Sequence, residues 1–199
     1  MNRKTFAAAF PATVPVLIGY LAIGMAFGLM LQDIGYGVFW AFLMSLTIYA
    51  GSAQILGVSL LAVGVPLPQA AFLTLMLNFR HLVYGLSMLE KFRGMGSRKL
   101  YMIFALTDET YALLSAAKVP QGIEEHDYYF AVALLNHCYW LVGSVAGSHL
   151  PALLGAGATL LSLLVVGAQD MLLPALAIIV AALTLLRPQL EGAEGKVTV

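Results

Sequence analysis

The chain has 199 residues, of which 61% are hydrophobic and 10% charged, with a formal net charge of zero. A soluble domain carries about 25% charged residues, so a soluble globular protein is excluded by composition. Charge neutrality without a basic patch gives no reason to expect nucleic acid as a partner.

The charges are also unevenly placed. None of Asp, Glu, Lys or Arg occurs from Thr5 to Gln32, from Ile34 to Phe79, or from Tyr128 to Gln169. A bilayer core of about 30 Å needs roughly 20 helical residues. The apolar runs are solid rather than alternating, which favours helices over the strands of a barrel. The expected fold is an all-α integral membrane protein. It is a polytopic bundle of about 6–8 hydrophobic segments, some of them broken or re-entrant.

Seven apolar segments follow in order, near 12–31, 38–49, 55–65, 70–89, 100–117, 128–149 and 153–186. Arg3 and Lys4 precede the first as in a signal peptide, but no soluble domain follows, so a retained first helix is expected. The last is long enough for two spans, with a turn near Gly167 to Asp170. Residues 1–187 then form a single transmembrane transporter domain, and 188–199 a short polar tail. Cys138 is the single cysteine, so no internal disulfide forms.

Two segments look interrupted, at Ala50-Gly51-Ser52-Ala53-Gln54 and at Asn78-Phe79-Arg80-His81. Broken helices with Gly, Ser or Asn at the break point to transporter binding sites, because freed backbone groups hold ligand charge. The alternative is a continuous helix with polar residues facing a neighbour. The G-x-x-x-G patterns Gly24–Gly28 and Gly143–Gly147 allow close helix contact.

Topology follows from charge. The loop with Lys91, Arg93, Arg98 and Lys99 should be cytoplasmic. The loop with Glu124, Glu125 and Asp127, one segment further on, should be outside. A cytoplasmic N-terminus then needs an even number of crossings before Lys91, which makes 38–65 a re-entrant hairpin or two short crossings. A single crossing there would put the N-terminus outside.

Arg80, His81, Asp108 and Glu109 fall deep in apolar segments. Each costs about 2.5–3.5 kcal/mol there on insertion scales, so such residues pair or face a polar interior. Asp108 and Glu109 are the obvious partners of Arg80. The result is either a structural ion pair or a group that handles substrate or protons. Asp170 and His137 are weaker candidates, Asp170 as a turn residue and His137 as a hydrogen-bonded core residue. Ser52, His81 and Asp108 could be forced into a hydrolytic triad, but Ser52 lies outside a G-x-S-x-G elbow. No metal spacing, phosphate loop or dinucleotide fingerprint occurs, so no enzyme activity and no cofactor are expected.

The strings GYLAIGMAFGLML (19–31), LMSLTIYAGSAQ (43–54), NFRHLVYGLSM (78–88) and LTDETYALL (106–114) resemble the AzlC/YgaZ family, the large subunit of the branched-chain amino-acid exporter. The resemblance implies a bacterial inner-membrane, multi-pass exporter of valine, leucine, isoleucine or methionine. It also implies a small hydrophobic partner of the AzlD/YgaH type. The family's polar motifs fall on Tyr49, Gly51, Ser52 and Gln54, on Asn78, Arg80 and His81, and on Thr107, Asp108 and Glu109. The first two groups, through Arg80, are expected to bind substrate. His81, Asp108 and Glu109 are expected to couple protons or hold an ion pair. A family pattern Gly-x-Asp-Phe-x-x-Pro-Ala is approximated by Gly167 to Ala175, with one extra residue and no Phe, and the chain stops short of further hydrophobic segments that members usually have. The competing reading is a channel or a carrier for another small solute.

Overall fold

The computed structural model describes the backbone of residues 2–166 and the side chains of residues 2–150. The expected turn at Asp170, the Gly167 to Ala175 pattern and the 188–199 tail lie outside the described residues. Met1–Ser148 form one compact unit, and residues from His149 belong to a second.

Every regular element among the described residues is an α-helix. The helices are α1 (Arg3–Asp33), α2 (Val38–Thr47), α3 (Gly51–Val63), α4 (Leu67–Ser87), α5 (Arg98–Phe104), α6 (Asp108–Ser115) and α7 (Glu125–Val166). Two stretches, Arg3–Asp33 and Glu125–Leu150, are long and apolar enough to cross a membrane. The separation expected between 149 and 153 is absent, because α7 runs on to Val166.

The two G-x-x-x-G faces pack on each other. A Cβ on Gly24 would lie 3.0 Å from Ser144 N, and one on Gly143 would lie 2.6 Å from the Tyr20 carbonyl. Gly28 and Gly147 are tighter still, against the Ser144 and Met25 carbonyls. Backbone thus meets backbone, as only small residues permit. Further toward the N-terminus, Thr13 Oγ1 and the Tyr139 hydroxyl share a hydrogen bond of 3.0 Å. These contacts advance together along both chains, so α1 and α7 run parallel.

Helices α2 and α3 form an antiparallel hairpin. Gln54 Nε2 donates to Ser45 Oγ at 3.2 Å, and further from the tip Met44 Cε lies 3.8 Å from a Cβ built on Gly57. The tip is Ile48 to Ala50, where Tyr49 takes a left-handed φ of 42°. That conformation costs a non-glycine residue about 1–3 kcal/mol and persists where the surroundings enforce it. The Tyr49 ring is 2% exposed and stacks on His137 at 4.1 Å, which holds it there.

Helices α5 and α6 form a second hairpin, where the sequence suggested one segment over 100–117. Arg98 at the start of α5 meets Asp127 at 2.5 Å, and Phe104 at its end meets His137, ring centroids 5.7 Å apart. Then α6 turns back: Thr110 accepts from Asn136 Nδ2 at 3.1 Å, and Ala116 and Lys118 share a cavity wall with Tyr128. Both ends of the pair therefore lie beside the N-terminal end of α7. The break has a sequence cause. Thr107 caps α6, its hydroxyl accepting from Thr110 N at 3.3 Å, and Asp108 and Glu109 fill the first turn. A cap and acids at a helix start stabilise a new helix there.

The expected break at Asn78 is absent; α4 is continuous from Leu67 to Ser87. The loop 124–127 is also corrected. The Arg98–Asp127 pair puts it beside the basic loop, because the segment between folds back on itself as a hairpin.

Candidate functional site

The hairpins approach from opposite ends of α1, Tyr36 just past its end meeting Trp40 of α2 and Ala12 near its start sharing a wall with Lys118, and their tips meet. Tyr49 and Phe104 have ring centroids 6.1 Å apart. Between the tips lies a cavity of about 240 Å³, bounded by Tyr20, Ile23, Ile55 and Trp140 as well as by residues of both tips.

Of the residues singled out in the sequence, Tyr49, Gly51, Ser52, Arg80, His81, Asp108 and Glu109 all line this cavity. Arg80 comes from α4 and bridges the two tips. Its Nη1 is 2.9 Å from Asp108 Oδ2, and its Nη2 donates to Ser52 Oγ. Neighbours on a regular helix point about 100° apart, yet Asp108 and Glu109 both reach the cavity because they open a helix after a break. Asp108 turns to α4. Glu109 turns to α1, where its Oε2 accepts from the Tyr20 hydroxyl at 2.7 Å.

Gln54 and Asn78 do not line the cavity. Gln54 is fully buried, donating to Ser45 and accepting from Trp140 Nε1 at 2.9 Å. It ties the first hairpin to α7. Asn78 presents its carbonyl to His81 Nδ1 at 3.2 Å. His137 is the hydrogen-bonded core residue expected. Its Nε2 is 3.1 Å from the Ser45 carbonyl, which can only accept, so that nitrogen carries the proton. Its Nδ1 lies 3.1 Å from the Tyr101 hydroxyl.

Ser52, His81 and Asp108 share the cavity without forming a triad. Ser52 and Asp108 both bind Arg80, and His81 turns to backbone. Tyr20, Trp140, Ile23 and Ile55 had not been singled out. A tyrosine and a tryptophan inside charge-free runs were the available signal, since each brings a polar atom that needs a partner when buried.

The electrostatics of the two tips differ. α6 starts with two acids. α3 starts at Gly51 with no side-chain cap and no acid in its first turn, so its positive dipole end is uncompensated from within. Arg80, ion-paired with Asp108, turns its second guanidinium nitrogen to Ser52 at the same place. This side of the cavity suits an anion, and the Glu109 side suits a cation.

The AzlC protein family profile matches residues 15–154, which include both hairpins and the cavity. The chain belongs to the AzlC family. It is 34% identical to the branched-chain amino acid transport protein AzlC of Bacillus subtilis, over 98% of this chain and 92% of that protein. A membrane protein of Helicobacter pylori is 36% identical over 94% of this chain and 97% of its own. The inner membrane protein YgaZ of Escherichia coli is 28% identical over 74% of this chain and 61% of its own. No solved structure matches. With membrane proteins as relatives and two helices able to span a bilayer, this AzlC-family chain is an integral membrane protein. The alignment with the Bacillus protein runs over 233 residues, so that relative carries internal segments absent here.

Proposed function

We propose that this AzlC-family protein is a multi-pass inner-membrane transporter that exports branched-chain and other apolar amino acids, with the cavity between the hairpin tips as its substrate site. The observation that carries the reading is the polarity of that cavity. Arg80 and the uncapped start of α3 stand on one side, and Glu109 stands on the other. A zwitterion needs both. Half-helix starts that face a midplane site are how transporters commonly hold a carboxylate. Ile23, Ile55 and the Trp140 ring give the apolar side chain its wall.

In this reading α1, α4 and α7 cross the bilayer and the hairpins enter from opposite sides. A hairpin arm of 7 to 13 residues, at 1.5 Å per residue, spans about half of a 30 Å core. Helix α4 has no buried residue and exposes Phe72, Leu75, Phe79, Leu82 and Leu86, as a lipid-facing helix does. Arg3, Lys4, Lys91, Arg93, Arg98, Lys99 and Lys118 then share one side, the cytoplasmic side by the positive-inside rule.

Energy comes from the proton gradient. Arg80 holds Asp108, and Glu109, bound among the described residues to the neutral Tyr20 hydroxyl, is the group that exchanges a proton. A small AzlD/YgaH-type subunit completes the exporter, as the resemblance implies.

The test is efflux of branched-chain amino acids from dipeptide-loaded cells that express this chain with and without such a subunit. Efflux that depends on the chain and is lost in Arg80→Leu supports the reading. Equal efflux of unrelated small solutes would favour the second reading, a channel or general carrier.

A further inference from the structure

A second cavity, of about 470 Å³, lies between α1, α6 and α7. Its walls include Ala12 and Val16, Ala112 and Ala116, Tyr128, and Lys118. Glu109 is the one side chain that lines both cavities. From Glu109 the walls descend α6 through Ala112 and Ala116 to Lys118, and descend α1 and α7 toward their N-terminal ends. The second cavity therefore leads away from the central one toward the end of the molecule that carries the basic residues. Its space exists because alanines line it where larger residues would fill it.

What separates the two cavities is the contact of Glu109 with Tyr20. Tyr20 is 4% exposed, one turn beyond Val16 on α1. Its hydroxyl donates to Glu109 Oε2 at 2.7 Å and shares a 2.7 Å hydrogen bond with Thr107 Oγ1. Its ring packs edge-on against Trp140 and Tyr49. One hydroxyl thus pins the start of α6 to α1, with nothing else polar linking α1 to that tip among the described residues.

We propose that the Ala-lined cavity is the passage between the central site and the basic side of the membrane, and that Tyr20, latched to Glu109 and Thr107, is its gate. Lys118 at the outer end offers a positive charge to an arriving carboxylate. The gate opens when the Tyr20 hydroxyl leaves Glu109 and the α6 start swings from α1. Protonation of Glu109 removes the charge from that hydrogen bond and weakens the latch. The substrate would then enter from the basic side with the proton state of Glu109 setting access, a role for Tyr20 as positioning residue. The proposal rests on the central cavity being a transport site.

The experiment uses thiol labelling and needs no substrate, so it can fail while amino-acid efflux succeeds, or succeed while efflux fails. The background is full-length Cys138→Ser in vesicles of either orientation, and the probe is a charged methanethiosulfonate. Ala116→Cys should label rapidly from the basic face. Ile55→Cys, in the central cavity, should label slowly from that face. Adding Tyr20→Phe should raise the Ile55→Cys rate about tenfold or more, as expected for loss of one charge-assisted hydrogen bond. Ala112→Trp should plug the passage and slow Ile55→Cys labelling from the basic face alone. An unreactive Ala116→Cys would show a groove filled by lipid and overturn the passage. An Ile55→Cys rate unchanged by both Tyr20→Phe and Ala112→Trp would overturn the gate.

Discussion

The guanidinium of Arg80 stands 2.9 Å from the carboxylate of Asp108, and the two come from different helices, α4 and the start of α6. The same guanidinium reaches Ser52 at the start of α3. Three elements are therefore tied at one charge. Arg80 stays protonated in any protein environment, so its partner cannot be lost without leaving a cation in an apolar setting.

Asp108→Asn is therefore expected to reduce folded yield and lower thermal stability, by about 1–3 kcal/mol for a hydrogen-bonded charge left unpaired. Removing both charges together, Arg80→Leu with Asp108→Leu, should recover part of that stability while abolishing transport. Thermal unfolding in detergent checks both variants. A double variant no more stable than Asp108→Asn would show that the pair is not what holds the tips together.

Glu109→Gln is expected to behave differently. It leaves the Arg80–Asp108 pair intact and still accepts from Tyr20. Expression should stay normal, gradient-driven efflux should fall at least about tenfold, and substrate exchange across the membrane should persist, as for loss of a titrating group alone. Full proton-driven efflux in this variant would remove Glu109 from the coupling step.

The parallel α1–α7 contact gives a test with an internal control. Gly28→Ala puts a methyl against the Ser144 carbonyl, whereas Gly19→Ala and Gly85→Ala meet nothing within 4 Å. Gly28→Ala should destabilise by about 1–3 kcal/mol as overpacking does. The two control changes should be neutral or slightly stabilising, since Ala is the better helix former by roughly 1 kcal/mol. Equal melting temperatures for all three would mean that the helices part readily at Gly28.

Hairpin and crossing make opposite predictions about the loops. With α5 and α6 paired, Ser97→Cys and Gln121→Cys, each in Cys138→Ser, should label from the same side, the cytoplasmic one. Val65→Cys should label from the other. If Ser97→Cys and Gln121→Cys label from opposite faces of the vesicle, the α5–α6 pair spans the membrane and the hairpin is wrong.

Gly51→Leu should abolish transport, though for a reason the sequence alone hid. A Cβ on Gly51 would sit 2.9 Å from the Trp140 ring, so the larger side chain displaces Trp140 from the cavity wall and from Gln54. Partial return of efflux in Gly51→Leu with Trp140→Ala is the expected outcome; no return would place the damage in the backbone at the tip.

Much of the site was legible in residue types. Charged side chains in apolar runs are costly, so Arg80, Asp108 and Glu109 announced themselves, and the Gly-Ser pair at 51–52 announced the first tip. The glycine pairs at 24 and 28 and at 143 and 147 had no visible partner, because spacing does not say which face meets which. The second hairpin was hidden by its own apolarity: Tyr101 to Leu106 and Tyr111 to Leu114 read as one span. The cap at Thr107, followed by Asp108 and Glu109, was the overlooked start signal. Asn78 misled in the other direction, since a polar residue inside a helix need not break it.

The two hairpin starts have one more effect. Each helix start carries about half a positive charge, and both face the same small chamber with Arg80, Asp108 and Glu109. With His81 uncharged, these contributions cancel to about zero while Glu109 is ionised. The chamber is then a fair host for a solute whose own charges cancel. It is a poor one for potassium, sodium or the side chain of lysine, each of which would leave that balance with an unmatched positive charge. One proton on Glu109 tips the balance positive and makes the chamber still more hostile to inorganic cations. Under the proposed transport role, a chamber balanced in this way would admit a zwitterion without becoming a leak for inorganic cations.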